Sequence, residues 1–409
     1  MTARVAITGM AGLTSLGHEW KPVVAAMKAG RSGIRRMEEW QSYDGLNTQL
    51  GAPIADYATP EHYPRKKMRA MGRVACFAVT TTERALEQAG LLNSAVVSSG
   101  DCGIAYGSAS GSFDAIADFG TMLRERTTRT INSTSYLRMM SHTAAVNTAL
   151  FFNIRGRLIA TSTACTSGSQ AVGYAYEAIK HGAQQAMIAG GAEEISAAQA
   201  AVFDTLFATS VKNDAPSTTP RPFDRDRDGL VIGEGAATLI LENLDAARAR
   251  GARIYAEIVG FSTNCDALHL TQPTAETMEM VMRHALRDAG LSPAAIGYLS
   301  AHGTATELGD IAESRATHAV FGARIPISCM KSYFGHTLGA CGAQEAWLAI
   351  EMMNRDEFAP TLNLETPDER CADLDYIMSE PRAIQTEYVM SNNFAFGGIN
   401  TSLILRRWS

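Results

Sequence analysis

Short apolar runs of strand length alternate with longer alanine-rich runs of helical length along this chain, and that rhythm admits few folds. Residues 158–162 predict a strand, 166–181 a helix ended by Gly182, and 186–190 another strand, which together make one β-α-β unit. Residues 5–9 predict an opening strand, and 71–89 a helix stopped at Gly90. A second series follows, with strands at 298–301, 325–329, 389–392 and 402–405 and helices at 309–320 and 340–353. The charged, Ala/Arg-rich stretch 243–252 separates the two series and divides the chain into halves 1–250 and 251–409. No low-complexity linker lies between them, so the class is α/β, with two similar halves packed on one core.

Composition narrows the function. Hydrophobic residues make up 46% of the 409 positions and charged ones 19%, as a globular chain with a large core requires. A net charge of −6 argues against nucleic-acid binding. No run approaches the roughly 18 apolar residues of a membrane span, and the first residues lack the apolar core of a signal peptide. The seven cysteines are scattered, with no C-x-x-C pair, which fits a reduced, cytoplasmic protein.

One cysteine stands apart. In STACTSGSQAVGYAYEAIKHG, Cys165 falls between a strand and a helix. Unpaired N–H groups and the positive dipole end there favour thiolate and predict a lowered pKa. Small residues follow, among them Ser167, Gly168, Ser169 and Ala171, so the helix can be buried among close neighbours. A plain packing cysteine is the competing reading.

Two of the nine histidines share this setting. His302 in SAHGTATELGD and His336 in KSYFGHTLGACG each occupy a strand-to-helix junction flanked by glycines, and Lys331 lies five residues before His336. His142, His269, His284 and His318 lack such context and read as structural or exposed. Zinc is not expected, because a fourth ligand and any closely spaced pair are missing. Residues 224–229 superficially resemble a calcium loop, but Gly235 stands where its twelfth-position glutamate belongs, and two arginines offset the charge.

Taken together, the motifs resemble the elongating β-ketoacyl-acyl-carrier-protein synthases of type II fatty acid synthesis, in the thiolase superfamily. The resemblance runs from end to end. It is carried by Thr163-Ala-Cys165, by Arg221-Pro-Phe-Asp224 with Asp228-Gly and Gly233-Glu-Gly235, by His302-Gly-Thr-Ala-Thr306, and by Gly309-Asp310 with Glu313. Lys331 to His336 and Asn393-Phe-Ala-Phe-Gly-Gly398 complete it. It implies a thiolase-like fold with α-β-α-β-α layers and an acyltransferase that extends a Cys165-bound acyl chain with a malonyl unit, losing carbon dioxide.

His302 and His336 are then the catalytic imidazoles, Lys331 anchors them, and Glu313 is a supporting carboxylate. The backbone N–H groups of Cys165 and Phe396 form the oxyanion hole, Thr304 and Thr306 hold the pantetheine arm, and Ser110 matches a position limiting chain length. The implied partner is an acidic acyl carrier protein, met by Arg65, Lys66, Lys67, Arg69, Arg73, Arg126 and Arg129. No metal or resident cofactor is implied, because the pantetheine arrives on the carrier. The resemblance also implies a homodimer, with a heterodimer with a chain-length partner as the alternative.

Several positions depart from the pattern. Ala395 stands where glycine is usual and Ile399 where threonine is usual, which suggests a stiffer gate at Phe396. Met330, Tyr333 and Phe334 add bulk near Lys331; they either fill the core or stack against a conjugated chain, the latter pointing to a polyketide or aryl-polyene pathway. A non-catalytic chain-length partner is the first rival reading, but Cys165 and both histidines are present. A thiolase is the second, but the closing motif lacks the second catalytic cysteine of thiolases.

Overall fold

The computed structural model describes residues 2–408. Its main sheet holds β1 (Val5–Leu13), β2 (Cys102–Gly107), β3 (Leu158–Thr161), β4 (Ala186–Glu193), β5 (Gly235–Asn243), β6 (Ala256–Cys265), β7 (Ile296–Ser300), β8 (Pro326–Ser328), β9 (Tyr388–Ala395) and β10 (Ile399–Arg407). Beyond β8, the two-residue strand Asp375–Tyr376 forms the edge. In space the order is β8-β7-β9-β10-β6-β1-β5-β4-β2-β3.

That order repeats. The first half reads β3-β2-β4-β5-β1 and the second β8-β7-β9-β10-β6, the same sequence offset by five strands. Directions repeat too. β2 runs parallel to β3 and β4, while β5 is antiparallel to β4 and β1. In the second half, β7 runs parallel to β8 and β9, while β10 is antiparallel to β9 and β6. Three residue pairs, from Val5–Ile258 to Ile7–Ala256, join the halves.

Six helices build the layers: α1 (Arg73–Gln88), α2 (Thr143–Phe152), α3 (Ser167–Lys180), α4 (Ala275–Ala289), α5 (Glu307–Phe321) and α6 (Cys341–Met353). α1 and α2 cover the outer face of the first half, and α4 with α5 that of the second; α3 and α6 lie between the halves. Three apolar clusters mark these interfaces: one around α3 and α6, one under α1, and one under α4 and α5. Every residue of α6 is buried, which explains why CGAQEAWLAIEMM shows no polar face. A Cβ at Gly173 would lie 2.2 Å from the Phe261 ring, so glycine lets α3 approach β6.

The layered α/β architecture expected from sequence is present. β2, β5, β6, α2 and α4 were not anticipated, and β1, β4, β9 and β10 run longer than expected. Strands such as GAATLILEN are buried on both faces, so they lose the alternation that betrays a half-exposed strand. Among the described residues, no helix is long and apolar enough to cross a membrane.

Candidate active site

Strand-to-helix turns deliver the reactive side chains. Cys165 sits in the 3-10 turn Ala164–Thr166, between β3 and α3, with Ala164 held at φ +50° in left-handed backbone. His302 follows β7. Its N–H and that of Gly303 each donate to Glu313 of α5 at 2.7 Å, which pins the loop. Lys331 begins the turn after β8. His336 precedes α6, and its N–H donates to the Val231 carbonyl at 2.7 Å.

These pieces converge. His336 Nε2 lies 2.9 Å from the Cys165 sulfur, and the two imidazole centroids are 5.2 Å apart at 87°. Partners fix both tautomers. The Leu338 N–H donates to His336 Nδ1 at 3.3 Å, so the ring proton sits on Nε2. His302 Nδ1 faces two groups that can only donate, Lys331 Nζ at 3.1 Å and Asn393 Nδ2 at 3.4 Å, so its proton also sits on Nε2. His302 Nε2 is buried and has no partner among the described residues. Two N–H donors are thus available beside one sulfur.

Lys331 spends its three protons on His302 Nδ1, the His302 carbonyl at 2.6 Å and Glu345 at 2.5 Å. Burial disfavours its charge, but Glu345 above all outweighs that and holds the ammonium's pKa above its ordinary value. Burial, reinforced by the Lys331 cation, pushes both imidazoles well below the usual histidine range, so they stay neutral. Burial likewise raises Glu313 to about 8, against its two backbone donors.

The nucleophile contradicts one expectation. Burial raises the Cys165 thiol to about 11, despite the Lys331 charge and the N–H groups of Phe396 and Cys165. Desolvation outweighs the helix start, so the resting sulfur is a thiol. Those same two N–H groups flank the sulfur, where the expected oxyanion hole lies.

Glu345, Glu193 and the role of Asn393, present only as part of the closing motif, escaped the sequence reading. Asn393 donates to Glu345 at 2.6 Å, tying β9 to α6 behind His302. Glu193 accepts N–H groups from Ala109 at 2.7 Å, Ser110 at 3.2 Å and Gly339 at 3.1 Å, joining the loop after β2 to the start of α6. A carboxylate within a mostly apolar helix, as Glu345 is in α6, was the available signal, since a buried charge needs a partner.

A cavity of about 510 Å³ reaches Cys165, His302 and His336 from the surface. Thr304, Thr306 and Phe396 line it, and the two threonine hydroxyls are 2.7 Å apart. His269, read as structural or exposed, also lines it and is exposed. Ser110 does not line this cavity; its N–H is committed to Glu193 instead. Met330, Tyr333 and Phe334 are fully buried in the central cluster, which settles them as core filling rather than a stacking surface. Ala395 pairs with Ile399 within the β9–β10 ladder, and the left-handed turn is made by Gly397 and Gly398, so alanine at 395 meets no backbone conflict.

Of the basic residues, Arg65, Lys66, Lys67, Arg69, Arg126 and Arg129 are exposed. Arg73 is not a free cation: it pairs with Glu234 at 2.6 Å. The ligand atoms of Cys165, His302 and His336 lie within 4.8 Å of one another, closer than their sequence spacing suggested, but the adjacent Lys331 ammonium opposes a further cation. Asp224, in the calcium-like stretch, accepts N–H groups of Asp226, Glu365 and Thr366.

A thiol, two neutral imidazole donors and a pair of N–H groups around it define an acyltransferase of the condensing type. The family models agree: Beta-ketoacyl synthase, N-terminal domain, matches residues 2–247, and Beta-ketoacyl synthase, C-terminal domain, matches 255–365. The chain is 34% identical to the 3-oxoacyl-(acyl-carrier-protein) synthase 2 of Synechocystis sp. over 99% of its length and 98% of that protein's. A crystal structure of a β-ketoacyl synthase from Burkholderia phymatum superposes with a TM-score of 0.99 at 58% identity, covering all of both chains. The ishigamide ketosynthase/chain length factor gives 0.91 at 30% identity, again over both full chains. This chain belongs to the β-ketoacyl synthase family.

Proposed function

We propose that this chain extends acyl groups carried on an acyl carrier protein by two carbons, using malonyl thioester as donor. The observation that carries the reading is the pair of Nε2–H groups beside the Cys165 sulfur. In the first half-reaction the sulfur attacks the acyl carbonyl. The N–H groups of Cys165 and Phe396 hold the oxyanion, and the departing pantetheine sulfur takes the thiol proton. Because the thiol is not pre-ionised, proton loss accompanies attack.

The malonyl thioester then occupies the cavity, with its carbonyl oxygen between His302 and His336. The bond to the carboxylate breaks and carbon dioxide leaves. The electron pair passes to the thioester oxygen as an enolate, held by both Nε2–H donors. The enolate carbon attacks the acyl-Cys165 carbonyl, the C–S bond breaks with its electron pair going to sulfur, and the thiolate takes a proton from solvent. Neutral imidazoles suit this role because each keeps its proton and donates without surrendering it. Lys331 fixes one ring and adds positive potential.

β3 lies at the sheet's edge with Leu158 43% exposed, and Leu150 of α2 beside it is 61% exposed; pairing of two such edges would give a homodimer. The free cysteines suit a reducing compartment, the cytoplasm. With Tyr333 and Phe334 in the core, neither offers a stacking surface to a conjugated chain, and saturated primers are the substrates this reading expects.

The test separates the half-reactions. Incubation with an acyl carrier substrate should add the acyl mass to Cys165, and malonyl carrier protein should then release carbon dioxide and a product two carbons longer. His302→Ala should still acylate but not release carbon dioxide. Condensation of two acetyl thioesters without malonyl donor would instead identify a thiolase.

A further inference from the structure

The mouth of the cavity carries exposed apolar side chains beside His269 and Glu307, away from the basic residues to which the sequence pointed. Four large hydrophobic side chains on three separate segments line its outer rim: Leu206 (46% exposed), Phe207 (90%), Leu270 (71%) and Leu308 (54%). None of the seven basic residues expected to meet the carrier lines this cavity. Exposed apolar groups gathered around one opening mark a contact surface rather than ordinary scatter.

Phe207 is the most exposed of these and the most constrained. Its backbone is left-handed at φ +54°, a conformation that disfavours a bulky residue. Hydrogen bonds on either side hold it there. The Phe207 N–H donates to the Asp204 carbonyl at 3.0 Å, the Ala208 N–H to the Phe203 carbonyl at 3.0 Å, and the Leu230 N–H to the Ala208 carbonyl at 2.8 Å. The chain thus keeps an aromatic ring in water on a strained, tethered turn, and no fold-stabilising burial repays that ring. Leu270 is held similarly: its carbonyl accepts the Gly397 N–H at 2.7 Å, beside Phe396.

We propose that Leu206, Phe207, Leu270 and Leu308 form an apolar docking collar for the carrier protein, with Phe207 as the anchor that enters an apolar groove on it. This rests on the functional reading above. The occupant follows from the geometry: the cavity inside the collar leads to Cys165, so a macromolecule that delivers a thioester down it must sit on this rim. A preorganised aromatic surrounded by leucines is the composition of an interface hot spot, and it binds without ordering a flexible side chain. Docking of this kind depends weakly on salt, unlike docking by the basic residues alone.

Steady-state kinetics of Phe207→Asp and Phe207→Leu, with substrates on acyl carrier protein and on free pantetheine, test the collar. For Phe207→Asp the KM for carrier-bound substrate should rise about tenfold or more, with kcat retained, while turnover of pantetheine thioesters changes less than about twofold. Phe207→Leu should recover most of the loss. An unchanged carrier KM would overturn the proposal, and so would equal losses on both substrates. Dissociation of an oligomer by Phe207→Asp would also overturn it, by assigning the collar to a self-interface. A parent enzyme that condenses neither substrate contradicts the functional reading, and this docking with it.

Discussion

The two halves make the same turn and use it differently. Thr163-Ala-Cys-Thr-Ser-Gly-Ser-Gln170 leads into α3, and Thr337-Leu-Gly-Ala-Cys-Gly-Ala-Gln344 leads into α6. Each passes through a 3-10 turn, and the residue before the key position has left-handed backbone, φ +50° at Ala164 and +46° at Leu338. The first half places Cys165 at that position and the second places Gly339. A Cβ at Gly339 would lie 2.5 Å from the Ala109 nitrogen and 2.6 Å from Glu193, so the second turn has no room for a nucleophile. What it supplies is the Leu338 N–H, which sets the His336 tautomer. One scaffold thus yields an attacking group in one copy and an orienting group in the other.

The largest effect should come from removing the sulfur. Cys165→Ala should lower condensation by about four orders of magnitude, as loss of a covalent nucleophile does, read as product formed from carrier-bound substrates. Retained condensation would mean the first turn is no more reactive than the second.

Lys331→Met attacks the orienting side. It strands the buried Glu345 carboxylate and releases His302 Nδ1, so unfolding free energy should fall by about 3–5 kcal/mol. Condensation should fall about a hundredfold or more, with Cys165 acylation less affected. Denaturant titration and single-turnover acylation measure the two parts. Equal losses in acylation and condensation would contradict a role centred on His302.

The raised thiol pKa sharpens the contrast between nucleophile and helix start. With a pKa of about 11, thiolate grows tenfold per pH unit, so Cys165 alkylation by iodoacetamide should rise about a hundredfold from pH 7 to 9. Peptide mass spectrometry separates it from the exposed Cys265. A rate that levels off near neutrality would show the lowered pKa that a helix start alone predicts.

Gly339→Ala should have the smallest effect, a destabilisation of about 1–3 kcal/mol from overpacking against Glu193 and the Ala109 backbone. Thermal unfolding checks it. An unchanged melting temperature would show that the second turn tolerates a side chain after all.

Cys165, His302 and His336 were legible because each stands at a strand-to-helix junction among small residues, where sequence pattern and chemistry coincide; Lys331, among bulkier neighbours, was reached through the resemblance. Their supports were harder to see. Glu345 lies inside a helix buried on all sides, and Asn393 and Glu193 lie on buried strands, so no periodicity singles them out. Glu313 was identified, but its contacts are with the N–H groups of His302 and Gly303. Arg73 and Ser110 have partners that sequence does not reveal: the Arg73 guanidinium meets Glu234, and the Ser110 N–H meets Glu193, through contacts 161 and 83 residues away. The thiol pKa depends on burial depth, which no local motif encodes.

Nitrogen-15 NMR of histidine-labelled protein between pH 6 and 8 tests the central claim most directly, because Nδ1 and Nε2 shifts report protonation and tautomer. His302 and His336, assigned by substitution, should both appear neutral with the proton on Nε2 across that range. A charged ring, or a proton on Nδ1 of either, would contradict the account.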